Sequence, residues 1–223
     1  MHKLFVQLFC SFIPLLFFIP SITPAQQKQE IKPKSSNQNL SLFISVNYFG
    51  PELTDINAVY KTIEKNYILP SGNDFKNIFT IVAGMEYTFF MRQSVQGELG
   101  IGLMKTNKGK STNYFQLFSV GGTYIYSVPL IGMFSGYGGA GVGHMWIYTQ
   151  RDYTSNIGIA HVNAKLAEVH VLLGLEYVIP NGVSFAMEGR YLFSTSLYPE
   201  RSNLDFSVNG IIGGIRIGIP FNM

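Results

Sequence analysis

The run "NGIIGGIRIGIPF" (Asn209–Phe221) constrains the fold more than any other part of the chain. Ile211, Ile215, Ile217, Ile219 and Phe221 share one parity, so in an extended strand they line one face. Arg216 stands on the other face, among Gly210, Gly214 and Gly218. A sheet face in water does not carry a row of isoleucines, and a soluble core does not readily take an arginine. Both are satisfied if the bulky face meets lipid and the arginine points into a polar interior.

The same period-two alternation recurs along most of the chain. It predicts strands over 40–49, 78–90, 95–105, 114–128, 132–148, 167–179, 183–194 and from about 205 onward. In the second of these, Phe79, Ile81, Ala83, Met85 and Tyr87 oppose Thr80, Gly84, Glu86 and Thr88. In the sixth and seventh, Glu168, His170, Glu176, Glu188 and Arg190 lie opposite a bulky apolar face. Connections after the even strands are short ("MRQS", "PLI", "PNG"), and those after the odd strands are long and polar. Strands of about ten residues, joined by alternating short and long loops, describe an all-β fold: an eight-stranded antiparallel up-and-down transmembrane β-barrel. A secreted lipocalin-like barrel would reverse the faces, with large apolar side chains inside. Tyr87, Phe89, Tyr124, Tyr126, Tyr177 and Phe221 fall at one rim and Trp146, Tyr148, Tyr191 and Phe193 at the other, as two interfacial girdles.

Residues 1–25 have a short basic start, an apolar stretch interrupted by Pro14 and Pro20, and small residues Thr23 and Ala25 suited to signal-peptidase cleavage after Ala25. The stretch is shorter than the roughly 20 apolar residues of a spanning helix. Cleavage removes Cys10, the one cysteine, so the exported chain has no disulfide. Residues 26–39 are polar and aperiodic and read as a disordered periplasmic lead-in, leaving 40–221 for the barrel. A net charge of +3 without a Lys/Arg cluster argues against a nucleic-acid partner.

The export signal, "YGGAGVG" (Tyr137–Gly143) and "GGIRIGIPF" (Gly213–Phe221) resemble the outer-membrane-protein β-barrel-domain families of Gram-negative bacteria, in the OmpA, OmpX and opacity-protein range. The resemblance implies a monomer in the outer membrane, surrounded by its lipids. It also implies a final strand whose terminal aromatic residue is read by the barrel-assembly machinery. Phe221 matches that signal, with Asn222 and Met223 trailing it. No particular activity follows from the resemblance.

Six inward charges form the candidate site: Glu86, Glu98, Glu176, Glu188, Arg190 and Arg216. Glu86 and Glu98 flank the first short turn, and Glu176 and Glu188 the third, so each pair is expected as cross-strand or diagonal neighbours. Like charges this close oppose each other's ionisation. Arginine's forked donors can bridge them, and Arg190 and Arg216 are expected at similar depth. The reading is an interior ionic plug; a selectivity ring or a catalytic pair is the alternative.

No catalytic, cofactor or metal signature stands out. His144, His161 and His170 all lack the serine two places on that a lipid A deacylase of this barrel type carries, and His170, beside Glu168, reads as a rim histidine. There is no HExxH and no Ca²⁺ loop, and "SGYGGAGVG" resembles a dinucleotide loop without the helix that must follow. In the first long loop, Ile56, Val59, Tyr60, Ile63 and Tyr67 recur at helical spacing, with Thr54 as the cap. They predict a short amphipathic helix over the barrel mouth or at the lipid headgroups. The expected role is non-enzymatic, structural or surface-interacting through the longer loops. A narrow pore for ions or small solutes is the alternative, and a lipid-modifying enzyme the third reading.

Overall fold

A computed structural model describes residues 39–90, 92–108, 111–153, 158–197 and 207–221. The expected signal peptide, nearly all of the expected lead-in, residues 198–206 and the last two residues lie outside these. The elements are β1 (Asn39–Glu52), α1 (Thr54–Tyr67), β2 (Ile78–Phe90), β3 (Gln93–Lys108), β4 (Ser111–Pro129), β5 (Phe134–Tyr153), β6 (Gly158–Val178), β7 (Ser184–Ser196) and β8 (Asn209–Phe221). Each strand pairs antiparallel with its sequence neighbours, and β1 pairs β8 from Leu40↔Phe221 to Glu52↔Asn209, closing the ring. Closure leaves the ring without an edge strand, as a membrane interior requires.

The faces follow the alternation. Leu42, Ile44, Val46, Ile81, Leu99, Leu173, Met187 and Ile215 are exposed outside, while Ser45, Asn47, Thr80, Gln96 and Thr123 are buried inside. An apolar band of this extent does not persist in water, so it is a lipid-facing belt. Among the described residues no helix is long and apolar enough to cross a membrane; the apolar belt lies on the strands.

Two segments expected as loops, 106–113 and 149–165, are mostly strand. Strands β2, β7 and β8 have 13 residues each, whereas β5 has 20 and β6 has 21. Since about 9–11 residues cross a bilayer, the surplus projects beyond it at the long-loop end. There the outward face turns polar (Gln150, Asp152, His161, Asn163), so the lipid signal fades although the hydrogen-bond ladder continues.

Helix α1 turns back into the barrel mouth. Leu53 occupies the cap position without a side-chain hydrogen bond, and Thr54 lies inside the first turn rather than capping it. The buried stripe is Ile56, Tyr60 and Glu64, four residues apart, whereas Tyr67 is exposed. Ile56 and Tyr60 join Phe49, Phe75, Phe115 and Leu166 in an apolar layer that fills the barrel beneath the helix.

Candidate functional site: a charged layer inside the barrel

The six predicted charges all point inward, and the structure brings them into one network. Glu86 stands opposite Gln96 and Glu98 opposite Gly84, so the two carboxylates are diagonal neighbours. Glu176 opposite Ala186 and Glu188 opposite Gly174 repeat that arrangement in the third hairpin. Arg216 Nη1 lies 3.0 Å from Glu86, its Nη2 3.4 Å from Glu176, and its Nε 3.0 Å from Glu188 Oε1. The last contact is ionic but out of line for a hydrogen bond, which leaves Nε unsatisfied in that sense. Arg190 pairs with Glu98 and, at 3.2 Å, with Glu188 Oε2.

Glu188 therefore bridges the two arginines, which do not share one level. Arg216 is opposite Ala186 and Arg190 opposite Ile212, four register positions further along. Carboxylates this buried need a paired cation and hydrogen bonds to stay charged. The neighbours supply them: Tyr137 Oη donates to Glu188 at 2.8 Å and Gln96 Nε2 to Glu86 at 3.0 Å. The Arg216 guanidinium also lies over the Tyr137 and Phe43 rings, 5.1 and 5.5 Å from their centroids. Gln96 and Tyr137 escaped notice in the sequence because neither carries a charge.

His170 is not at the rim. It is 1% exposed, with Nε2 2.8 Å from Thr123 Oγ1 and Nδ1 3.4 Å from Glu168 Oε1. A carboxylate, an imidazole and a hydroxyl in line have the order of a catalytic triad. All three, however, are buried inside the barrel, away from the lipid. The glycines of β5 make room for them. A Cβ at Gly143 would sit 2.8 Å from Glu168 Oε1, and one at Gly141 would collide with His170. The "GYGGAGVG" spacing is thus a packing pattern, with inward glycines facing bulky polar partners on β6.

Between the charged and apolar layers lies a cavity of about 40 Å³, lined by Glu98, Glu168, His170 and Arg190 on one side and Leu117, Met145 and Leu192 on the other. It has room for about two or three waters. Above the apolar layer a second buried ion pair fixes the helix, Arg151 of β5 with Glu64 of α1. Arg151 Nε donates to Asn113 at 2.8 Å, and the guanidinium stacks 4.4 Å from the Tyr60 centroid. Sequence reasoning missed this pair, because Arg151 fell in a presumed loop and the helix reading rests on its apolar positions alone, without Glu64. Among the described residues no His, Cys, Asp and Glu cluster could hold a metal ion.

No protein-family model matches the sequence, and neither does any curated protein. Solved structures do match in fold. Neisserial surface protein A is 14% identical, covering 82% of this chain and 97% of its own, with a TM-score of 0.52. Ail, the attachment invasion locus protein of Yersinia pestis, is 14% identical, covering 82% and 99%, with a TM-score of 0.50. With the closed ring, the lipid belt and the polar interior, this likeness makes the chain an eight-stranded transmembrane β-barrel with the fold of the small bacterial outer-membrane proteins.

Proposed function

We propose that the chain is a non-enzymatic outer-membrane barrel, monomeric, with a structural or surface-interaction role carried by its long-loop end. The observation behind this reading is the division of the molecule. The interior is filled at two levels, by the ionic layer and by the apolar layer under α1, while β5 and β6 continue well beyond the lipid belt. Binding usually sits on exposed segments held by a rigid scaffold, and these hairpins have that geometry. In this orientation the short turns face the periplasm; Phe221 is exposed opposite Leu40, which supports the reading of it as the residue that the assembly machinery recognises.

A pore reading needs a conduit past Arg216 and Arg190, and an enzyme reading needs His170 at the outer lipid boundary; the packing supports neither. Planar-bilayer recordings of the purified protein should show no selective conductance, and its expression should leave lipid A acylation unchanged. A conductance abolished by Glu98→Gln or Arg216→Ala would instead make it a pore. An acylation change lost with His170→Ala would make it an enzyme. Shortening the β5–β6 hairpin over 150–162 should abolish cell-surface binding while the barrel still migrates as a heat-modifiable species.

A further inference from the structure

At the long-loop end the lipid belt stops on every strand, and the first polar side chain beyond it marks the headgroup level. On β3, β4 and β6 these residues are Lys105, Gln116 and Lys165, and on β5 the outward row there is His144, Trp146 and Tyr148. On β1, β7 and β8 they are Glu52, Thr195 and Asn209, and just before β2 stands Asn77. The two outward strand lysines of this boundary thus fall on one half of the barrel, and the outward carboxylate Glu52 falls on the other, beside the exposed Lys76 that precedes β2. Neither Lys105 nor Lys165 has a carboxylate partner among the described residues.

The basic half also carries outward aromatic side chains, as the other half does with Tyr48, Phe79, Tyr191 and Phe193. Lys165 is directly cross-strand from Trp146, which packs on Phe118 at 5.4 Å between centroids. Tyr148, two positions further out, is held by Gln150 at 2.9 Å and His161 Nδ1 at 2.7 Å, opposite Asn163. Lys105 lies 5.1 Å over the Tyr114 ring. Ala167 and Val169, and Leu103 and Ile101, continue the same outward rows into the acyl belt. A lysine there lays its stem on apolar surface and lifts its ammonium to the phosphates, beside rings that favour the same depth. Continuity with the belt selects a lipid rather than a protein as the occupant, and the charge selects an anionic one.

We propose that the outward face of β3–β6 at this boundary binds anionic outer-leaflet lipids by their phosphates, with Lys165 beside Trp146 holding one phosphate and Lys105, three strands away, holding another. The site is separate from the interior network and does not depend on the role proposed above.

Trp146 is the chain's single tryptophan and stands at the site, so its fluorescence reports which lipid is adjacent. The protein is reconstituted in phosphatidylcholine vesicles, and acyl-brominated phosphatidylglycerol or acyl-brominated phosphatidylcholine is added as the quencher. Phosphatidylglycerol should be preferred about fivefold or more beside Trp146, from the attraction of lysine to an anionic headgroup. The preference should vanish in the Lys105→Gln/Lys165→Gln double variant and stay intact in Lys65→Gln, on the exposed face of α1. Equal quenching by the two lipids in the wild type would overturn the proposal, as would a preference that survives in the double variant. Loss of the preference on adding inorganic phosphate at matched ionic strength would also overturn it, by making the site one for the free ion.

Discussion

Arg216 is held by carboxylates from three other strands: Glu86 of β2, Glu176 of β6 and Glu188 of β7. Replacing it with methionine leaves Glu86 and Glu176, both partly buried, without this cation and the buried Glu188 with Arg190 alone, and should cost about 3–5 kcal/mol in urea unfolding from vesicles. An unchanged midpoint would mean that the acids are protonated and the arginine dispensable. Glycine shows the same sensitivity to packing. Gly141→Ala drives a Cβ into His170 and the Gly122 carbonyl and should cost about 1–3 kcal/mol. Gly97→Ala, with nothing within 4 Å of the new Cβ, should be close to neutral by the same measurement. The six charges were legible in the sequence because each interrupts a bulky strand on its small-residue face. His170 was legible as inward but not in depth, because strand ends beyond the bilayer carry no lipid signal to fix the level.

Among the elements, α1 is the one whose placement the sequence left open. Its apolar spacing pointed to the mouth or the headgroups, and a buried Glu64 decides for the mouth, because its cation is the inward Arg151, with Gly72 N and Tyr153 Oη donating to the same carboxylate. The continuing strand was still readable: Ala160, Val162, Ala164 and Leu166 alternate with His161, Asn163 and Lys165. Arg151→Gln should release the helix, seen as faster hydrogen exchange over 54–67 with the barrel amides unchanged. If exchange over 54–67 stayed slow, the apolar contacts alone would hold the helix. Burial pushes the Tyr60 hydroxyl up to about 12, against opposing contributions from Thr149 and Arg151. A folded value above the ordinary 10 means that the plugged state keeps its proton where the free chain gives it up. The contribution of Tyr60 to plugging is therefore complete below about pH 10 and lost as pH rises through about 12. The absorbance difference between the wild type and Tyr60→Phe isolates this titration, and a midpoint near 10 would show the helix already released.

For the whole molecule, the two fillings are independent seals, since Arg216 and Arg151 share no partner. Deleting 54–67 should leave bilayer recordings silent, and only its combination with Arg216→Ala should admit ions. Conductance from the deletion alone would mean that the charged layer is leaky. The charged layer also carries a temporal meaning. Glu86 and Arg216 are 130 residues apart in the chain, and Glu98 and Arg190 are 92 apart, so the first and last hairpins meet there only once the ring shuts. Contacts made after the rate-limiting step change how fast a protein comes apart, not how fast it assembles. Arg216→Met should accordingly raise the unfolding rate and leave insertion into vesicles almost untouched; slowed insertion would place this contact before the barrier instead. The bonds that form last are then the ones that set the lifetime of the barrel in its membrane.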